Sequence, residues 1–479
     1  MAQTYNSMIG FLSTLARLGI GACMVGGVSF GASDLVVSNY ILVSSTRVTR
    51  TVFEYAFQAD VTNNSNVDAV NVKTIINIKA AAPTTVGDNR LSFGDVPAGL
   101  TVRSKDTFTV RQDRTLPLDP SSLVPNTFEG PPKDPAKPPA VVQLTNTPNP
   151  GANFVPSWSP DGSMIVYICV SPVVLEHEVC TMSFDGSNKV QVTHEAAFGR
   201  FVGGPPQWSP DGSRILYSSY IVPRQSHIFT ILPTGAKRTQ LTFGAVDDFI
   251  EKGAWSPDGS QLLFTRRLSD IQNIYSINAN GTNERKLTNQ VDFFQSASLA
   301  SWSSDGSLIL FSVGDIVHSG GGSQIYTMAP NGSAQRCLTC SRAPAGRLKA
   351  HFNRYTLDRP QFNRIAFFEE SLSPNANPPG EFFVMEENGT NVKSLDKIFI
   401  TLIFDFDWQL NDDFIVYMNR SIGENLSLSV VNAYGVTSPS RLTPPLRAEY
   451  PMWSPDGSLI SFLTTTSVGT IDIWTVGAP

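Results

Sequence analysis

Charge is scarce in this chain. Of its 479 residues, 16% are Asp, Glu, Lys or Arg, and the formal net charge is −6. No cluster of Lys or Arg breaks the pattern, so nucleic acid is not an expected partner. The catalytic signatures are missing too. There is no HExxH, no EF-hand string and no P-loop, and the five His are scattered. The one GxSxG, Gly27 to Gly31, lies in an apolar stretch without strand or helix context. Long apolar runs are lacking as well. Leu18 to Ala32 is too short for a transmembrane helix, so an integral membrane protein is not expected. Gly, Pro and Phe are plentiful, at 36, 33 and 29 residues, a composition that suits an all-β chain with many turns.

That apolar stretch follows Arg17 and ends at Ser33-Asp34, so residues 1–33 read as a signal peptide or export segment. A disordered or helical stub is the alternative. Ile20-Gly21-Ala22-Cys23 resembles a lipoprotein cleavage box, which leaves a lipid anchor at Cys23 open. The remaining cysteines, Cys169, Cys180, Cys337 and Cys340, are even in number and compatible with an oxidising compartment.

Residues 34–112 alternate with period two. Phe53, Tyr55, Phe57, Ala59 and Val61 share one face, as do Val70, Val72, Thr74, Ile76 and Ile78. Several half-buried strands in this length predict a small β-sandwich. The phrases VTNNSNVDAVNV and FGDVPAGLTVRSKDTFTV resemble bacterial immunoglobulin-like modules of the CARDB type, which implies an adhesive or spacer module. Residues 113–140 hold eight prolines and are expected to be a semi-extended linker.

The rest of the chain repeats. WSPDGS occurs at 158, 208, 255 and 453, and WSSDGS at 302. The first four Trp are 50, 47 and 47 residues apart, and Trp408 precedes Trp453 by 45. The double interval between Trp302 and Trp408 leaves room for one unit without its Trp, near 350–370. Seven third-strand phrases, such as IFTI at 228 and IWTV at 473, agree with seven units. Seven fourth-strand endings such as QLT agree too, and the first precedes the first Trp. VVQLT at 141–145 should therefore complete the unit that ends the chain. This period predicts an all-β, seven-bladed β-propeller over 141–479, closed by pairing of its N- and C-terminal strands.

WSPDGS, I-Y-x-[MI], a turn such as NGTN, and then LT resemble the TolB-type, WD-repeat-like propeller family. TolB has six blades and an α/β N-terminal domain, so its role in the Tol envelope machinery and its partner Pal are not transferred.

A catalytic constellation is needed once, whereas a structural corner is needed in every blade. Trp158, Asp161, Trp208, Asp211, Trp255, Asp258, Trp302, Asp305, Trp453 and Asp456 are therefore read as scaffold. Asp185-Gly186, Asn280-Gly281, Asn331-Gly332 and Asn388-Gly389 are second-hairpin turns. Both turn types belong to one rim, and the variable connections to the other. Binding is expected on the variable rim. The candidates before the inner strands are Phe154, Glu251, Lys252, His351, Phe404, Asp405, Glu449 and Tyr450.

No cofactor is required by these residues. Asp247, Asp248 and Glu251, or Asp405 and Asp407, are weak candidates for Ca²⁺, and Glu176-His177-Glu178 for another metal. Cys169 and Cys180 should face each other across a hairpin as a disulfide. Cys337-x-x-Cys340 reads as a small-loop disulfide or half a zinc site. The expectation is an exported, non-enzymatic bacterial scaffold, periplasmic, secreted or at the cell surface. Its partner would be an envelope or extracellular protein or a polysaccharide. The alternatives are a lyase-like enzyme acting on polysaccharide in the channel, and a structural surface or filament component.

Overall fold

A computed structural model describes the chain from 35 to 478, apart from residues 50, 65–67, 79–83, 87–89, 114–122, 130–140, 148–151, 171–175, 222–224, 245, 292–295, 315–322, 341–347, 353–363, 371–379, 399–404, 410–413, 420–424, 436–437 and 466–468. The export segment, Cys23 and Phe404 lie outside the described residues. The chain divides into two compact units, Met1–Ala136 and Lys137–Pro479.

The first unit is a two-layer β-sandwich. One sheet runs β1 (Leu35–Arg47), β2 (Val52–Asn63), β7 (Phe108–Asp113), β4 (Thr84–Val86), with β6 (Thr101–Arg103) also on β2. The other runs β5 (Arg90–Val96), β3 (Ala69–Ile78), β8 (Leu123–Glu129). Tyr55, Phe57, Ala59 and Val61 meet Val72, Ile76, Phe93 and Phe108 in one core, the alternation seen in the sequence.

β8 corrects the linker boundary. Leu123–Glu129 is a strand, with Pro125 opposite Ile76 of β3. It is an edge strand, and an edge tolerates a proline because only one side of its backbone must donate to a neighbour.

In the second unit the described strands form two eight-stranded sheets and three four-stranded ones; antiparallel runs of four strands, the blades, follow one another in chain order, and short parallel contacts join two such runs in each larger sheet, a β-propeller arrangement. Trp158, Trp208, Trp302, Trp408 and Trp453 end the first strands of their blades. The unit without a Trp has Leu348–Phe352 and Arg364–Glu370 as its first two strands. Each blade shares a hydrophobic core with the next, and Leu144, Trp158, Met182, Met452, Leu463 and Ile473 join the seventh to the first. β9 (Val141–Gln143) pairs with Ile471–Gly477, so the seventh blade takes its fourth strand from the start of the unit.

The repeated phrase acts as a corner. Ser159 N–H bonds to the Met164 carbonyl at 2.8 Å, and Gly162 N–H to the Ser159 carbonyl at 2.9 Å. Asp161 accepts from the hydroxyls of Ser159 and Ser163. The corner also touches its neighbour. A Cβ at Gly212 would lie 3.8 Å from Pro160, one at Gly259 3.6 Å from Pro210, and one at Gly162 3.7 Å from Pro455. The second-hairpin glycines repeat this logic. At Gly235, φ is +81° and a Cβ would lie 2.9 Å from the Val192 carbonyl oxygen of the preceding blade. A third device is the Thr of LT. Thr145, Thr193, Thr242, Thr288, Thr339 and Thr443 each accept a third-strand N–H. The Trp-less blade has Asp396 in that place, reaching the Tyr417 hydroxyl and Asn419 of the next blade instead. Burial raises the Asp396 carboxyl above the ordinary range, against the pull of those bonds.

Candidate functional site

With both turn types engaged in blade-to-blade contacts, the chemistry left for a partner sits where inner strands begin. Inner strands carry register shifts there, between Phe154 and Ser157, Gly203 and Gln207, Ser298 and Ser301, and Glu449 and Met452. Val155, Leu299 and Tyr450 take positive φ at these shifts, a conformation the scaffold must hold in place.

Two predicted rim residues meet. Lys252 Nζ of the third blade lies 2.6 Å from Asp405 Oδ2 at the start of the sixth. These blades are not neighbours, so the ion pair crosses the ring. Asp405 is fully buried and the Lys252 side chain is 17% exposed. The pair matches the two charges, so neither is offered to a partner as a free cation or carboxylate.

The other predicted residues are dispersed. Phe154 packs beside the core shared by the first two blades, and Tyr450 packs beside the core between the seventh and first. The Glu251 carbonyl accepts from Gln207, and Glu449 takes an ion pair from Arg447 at 3.2 Å. His351 is opposite Ala366 in the fifth blade.

The acidic groups considered for Ca²⁺ have partners on the protein. Asp247 pairs with Arg267, and Asp248 with Arg266, which also reaches Glu284. Burial raises the Asp248 carboxyl in spite of Arg266. Asp407 accepts the Trp453 N–H at 2.8 Å. Glu178 accepts the Thr193 hydroxyl and the N–H groups of Glu195 and Ala196. Among the described residues, no three His, Cys, Asp or Glu side chains gather as a cation site.

The sequence reading missed an aromatic strip. Phe154, His177, Phe201 and Tyr220 follow one another with ring centroids 6.1, 6.4 and 5.6 Å apart. All four are half-buried and sit at the variable-rim ends of strands in the first two blades. His177 had been weighed as a metal ligand, and it is the link between Phe154 and Phe201. Exposed apolar side chains continue along the same connections. Phe198 and Phe243 are each 66% exposed, and Val291 is 79% exposed. The missed signal was a ring within the first three or last two residues of a strand.

In the connection between the first two blades, Glu195 is buried. It accepts from Arg238 Nε at 2.7 Å, the Tyr217 hydroxyl at 2.8 Å and the Ser219 hydroxyl at 2.7 Å. Burial works to raise its carboxyl, but the hydrogen bonds from Arg238, Ser219 and Tyr217 together hold it below the ordinary range. Burial lowers the neighbouring His227, with Arg200 and Arg266 adding to the effect and Asp248 opposing it.

Both predicted disulfides form. Cys169 and Cys180 are joined with Cα atoms 5.8 Å apart, and Cys337 and Cys340 at 5.7 Å. The register corrects one detail. Cys169 is opposite Glu178 and Cys180 opposite Tyr167, so the first bridge runs diagonally across the hairpin. Cys337 and Cys340 use their sulfurs on each other, which removes the half-zinc reading.

Residues 166–347 match the family model described as the TolB beta propeller domain. That stretch of the propeller is similar to the TolB-type repeats. An oligogalacturonate lyase solved in complex with manganese superposes with TM-score 0.53 at 12% identity, over 71% of this chain and 93% of that one. At such identity the likeness is one of fold. A putative TolB from Agrobacterium tumefaciens is 17% identical over 71% of this chain and 97% of its own, with TM-score 0.41. No curated protein matches the sequence. Among the described residues, no helix is long and apolar enough to cross a membrane.

Proposed function

We propose that this TolB-type propeller is a non-catalytic binding scaffold working outside the cytoplasm of a bacterium. On this reading it engages an envelope or extracellular protein or a polysaccharide through its variable rim. The observation that carries the reading is the division between the rims. One rim spends its repeated groups on neighbouring blades. The other presents the strip Phe154, His177, Phe201 and Tyr220, and its fourth-to-first connections expose Phe198 and Phe243. Half-exposed aromatic rings on a rigid support suit recognition because they bury much area for little lost side-chain entropy. The two disulfides support an oxidising location.

The test is a binding screen of the purified chain against envelope extract and a panel of neutral and uronate polysaccharides. Wild type is compared with Phe201→Ala/Tyr220→Ala. The expected result is a ligand retained by wild type and lost by the variant at unchanged thermal stability. A ligand bound equally by both would overturn the rim assignment. Because the fold is shared with a lyase, the same panel is read for newly formed double bonds, and their appearance would overturn the non-catalytic reading.

A further inference from the structure

Cys337 and Cys340 bracket the Leu338-Thr339 pair of the fourth blade. Leu338 N–H donates there to the Ile325 carbonyl at 2.8 Å, and Thr339 Oγ1 accepts the Ile325 N–H at 3.0 Å. Five other blades fasten the same corner with the same two bonds, at Leu144-Thr145, Val192-Thr193, Leu241-Thr242, Leu287-Thr288 and Leu442-Thr443. None of those pairs is flanked by cysteine. The corner therefore holds without a bridge, and the bridge of the fourth blade calls for a reason of its own.

The two disulfides differ in access. Cys180 is 7% exposed and packs with Leu144, Trp158 and Tyr167, and half-buried Cys169 lies against the same core. Cys340 is exposed, and Cys337 is half-buried. A donor also stands beside the exposed sulfur. The Tyr326 hydroxyl lies 3.5 Å from Cys340 Sγ. Tyr326 is opposite Cys337 in the ladder and is stacked on Phe311 with ring centroids 5.5 Å apart, so its hydroxyl is held in place. A thiolate has no proton to give, so against a Cys340 thiolate the phenol is the donor, and a hydrogen bond to the anion favours it.

We propose that Cys337–Cys340 is a thiol-exchange site, whose co-substrate is an external thiol. The incoming thiolate attacks Cys340, the exposed sulfur. The Cys337–Cys340 bond breaks, and its electron pair leaves on Cys337, which takes up a proton. The partner is now held on Cys340 as a mixed disulfide. A second thiolate attacks the partner's sulfur and releases Cys340 as a thiolate facing the Tyr326 hydroxyl. Two external thiols are oxidised to one disulfide, and the protein disulfide is reduced to two thiols. Cys169–Cys180 takes no part because its sulfurs belong to a packed core. This inference is independent of the binding role of the variable rim.

The experiment exposes the native full chain to millimolar glutathione or to reduced thioredoxin, quenches with an alkylating agent and maps the labels by mass spectrometry. Cys337 and Cys340 should be labelled at least about tenfold faster than Cys169 and Cys180. The first glutathione adduct should sit on Cys340. Tyr326→Phe keeps the ring stack and removes the donor, so it should lengthen the life of that adduct several-fold at an unchanged unfolding midpoint. Exchange with glutathione assigns a small thiol as sufficient, and exchange with thioredoxin alone assigns a protein dithiol. Resistance to both would overturn the proposal, as would labelling of all four cysteines at one rate or a first adduct on Cys337. An adduct that decays equally fast in Tyr326→Phe would overturn the role of the phenol.

Discussion

Lys252 Nζ and Asp405 Oδ2 lie 2.6 Å apart although 153 residues separate them, and they join blades that do not touch in chain order. Asp405 is fully buried, so removing Lys252 takes away an ion pair that offsets the cost of burying its charge. Lys252→Ala should therefore lower the stability of the propeller by about 3–5 kcal/mol in denaturant unfolding. Replacing both residues, with Lys252→Met and Asp405→Leu, should recover most of the loss. A Lys252→Ala protein as stable as wild type would show that the pair does not tie the ring.

The turn glycines separate backbone strain from blade contact. Gly199 has φ +65° and no atom within 4 Å of a built Cβ, whereas Gly332 has φ +84° and the Leu287 carbonyl oxygen at 2.9 Å. Gly199→Ala should cost about 1–2 kcal/mol from φ alone. Gly332→Ala should cost clearly more, because the preceding blade must also move. Equal losses in thermal unfolding would contradict the role given to the second-hairpin turn.

Glu195 sets an acid-sensitive clasp between the first two blades. Its folded carboxyl titrates below its unfolded value of about 4.3. The stability it contributes is therefore complete above that value and is lost as pH falls through the lowered one. Glu195→Gln should reduce stability at neutral pH by about 1–3 kcal/mol and flatten the acid limb below about pH 4. Unfolding midpoints measured from pH 7 downward decide this, and parallel curves for the two proteins would refute it.

The disulfides differ in the loop they close. Cys169–Cys180 spans 11 residues of sequence and Cys337–Cys340 spans 3. Loop-closure entropy assigns about 3 kcal/mol to the first and about half of that to the second. Paired serine substitutions should rank in that order in denaturant unfolding, and the opposite ranking would contradict the entropic account.

The scaffold was legible because it repeats. Trp158, Ser159, Asp161 and Gly162 perform one local task, and four more copies make the pattern visible above the noise of side-chain choice. The pairing of β9 with the last strand followed from the same count, since QLT came before the first Trp. The variable rim does not repeat, so the pattern gave its place and not which of its side chains come together. Phe154 is a rim candidate in the sequence, but the rings that follow it, His177, Phe201 and Tyr220, sit near strand ends that the repeated phrases do not cover. Lys252 and Asp405 were each named, and their meeting was not, because a contact across a ring leaves no trace in local sequence. β8 was hidden by its proline, which an edge strand accepts and a central strand does not.

The most direct test of the account is a hydrogen-exchange footprint of the chain bound to whichever partner the binding screen selects. The account predicts slowed exchange at the variable rim of the first two blades, in 152–154, 177–179, 198–203 and 218–221, with the WSPDGS corners unchanged. Protection confined to those corners, with the aromatic strip unaffected, would contradict it.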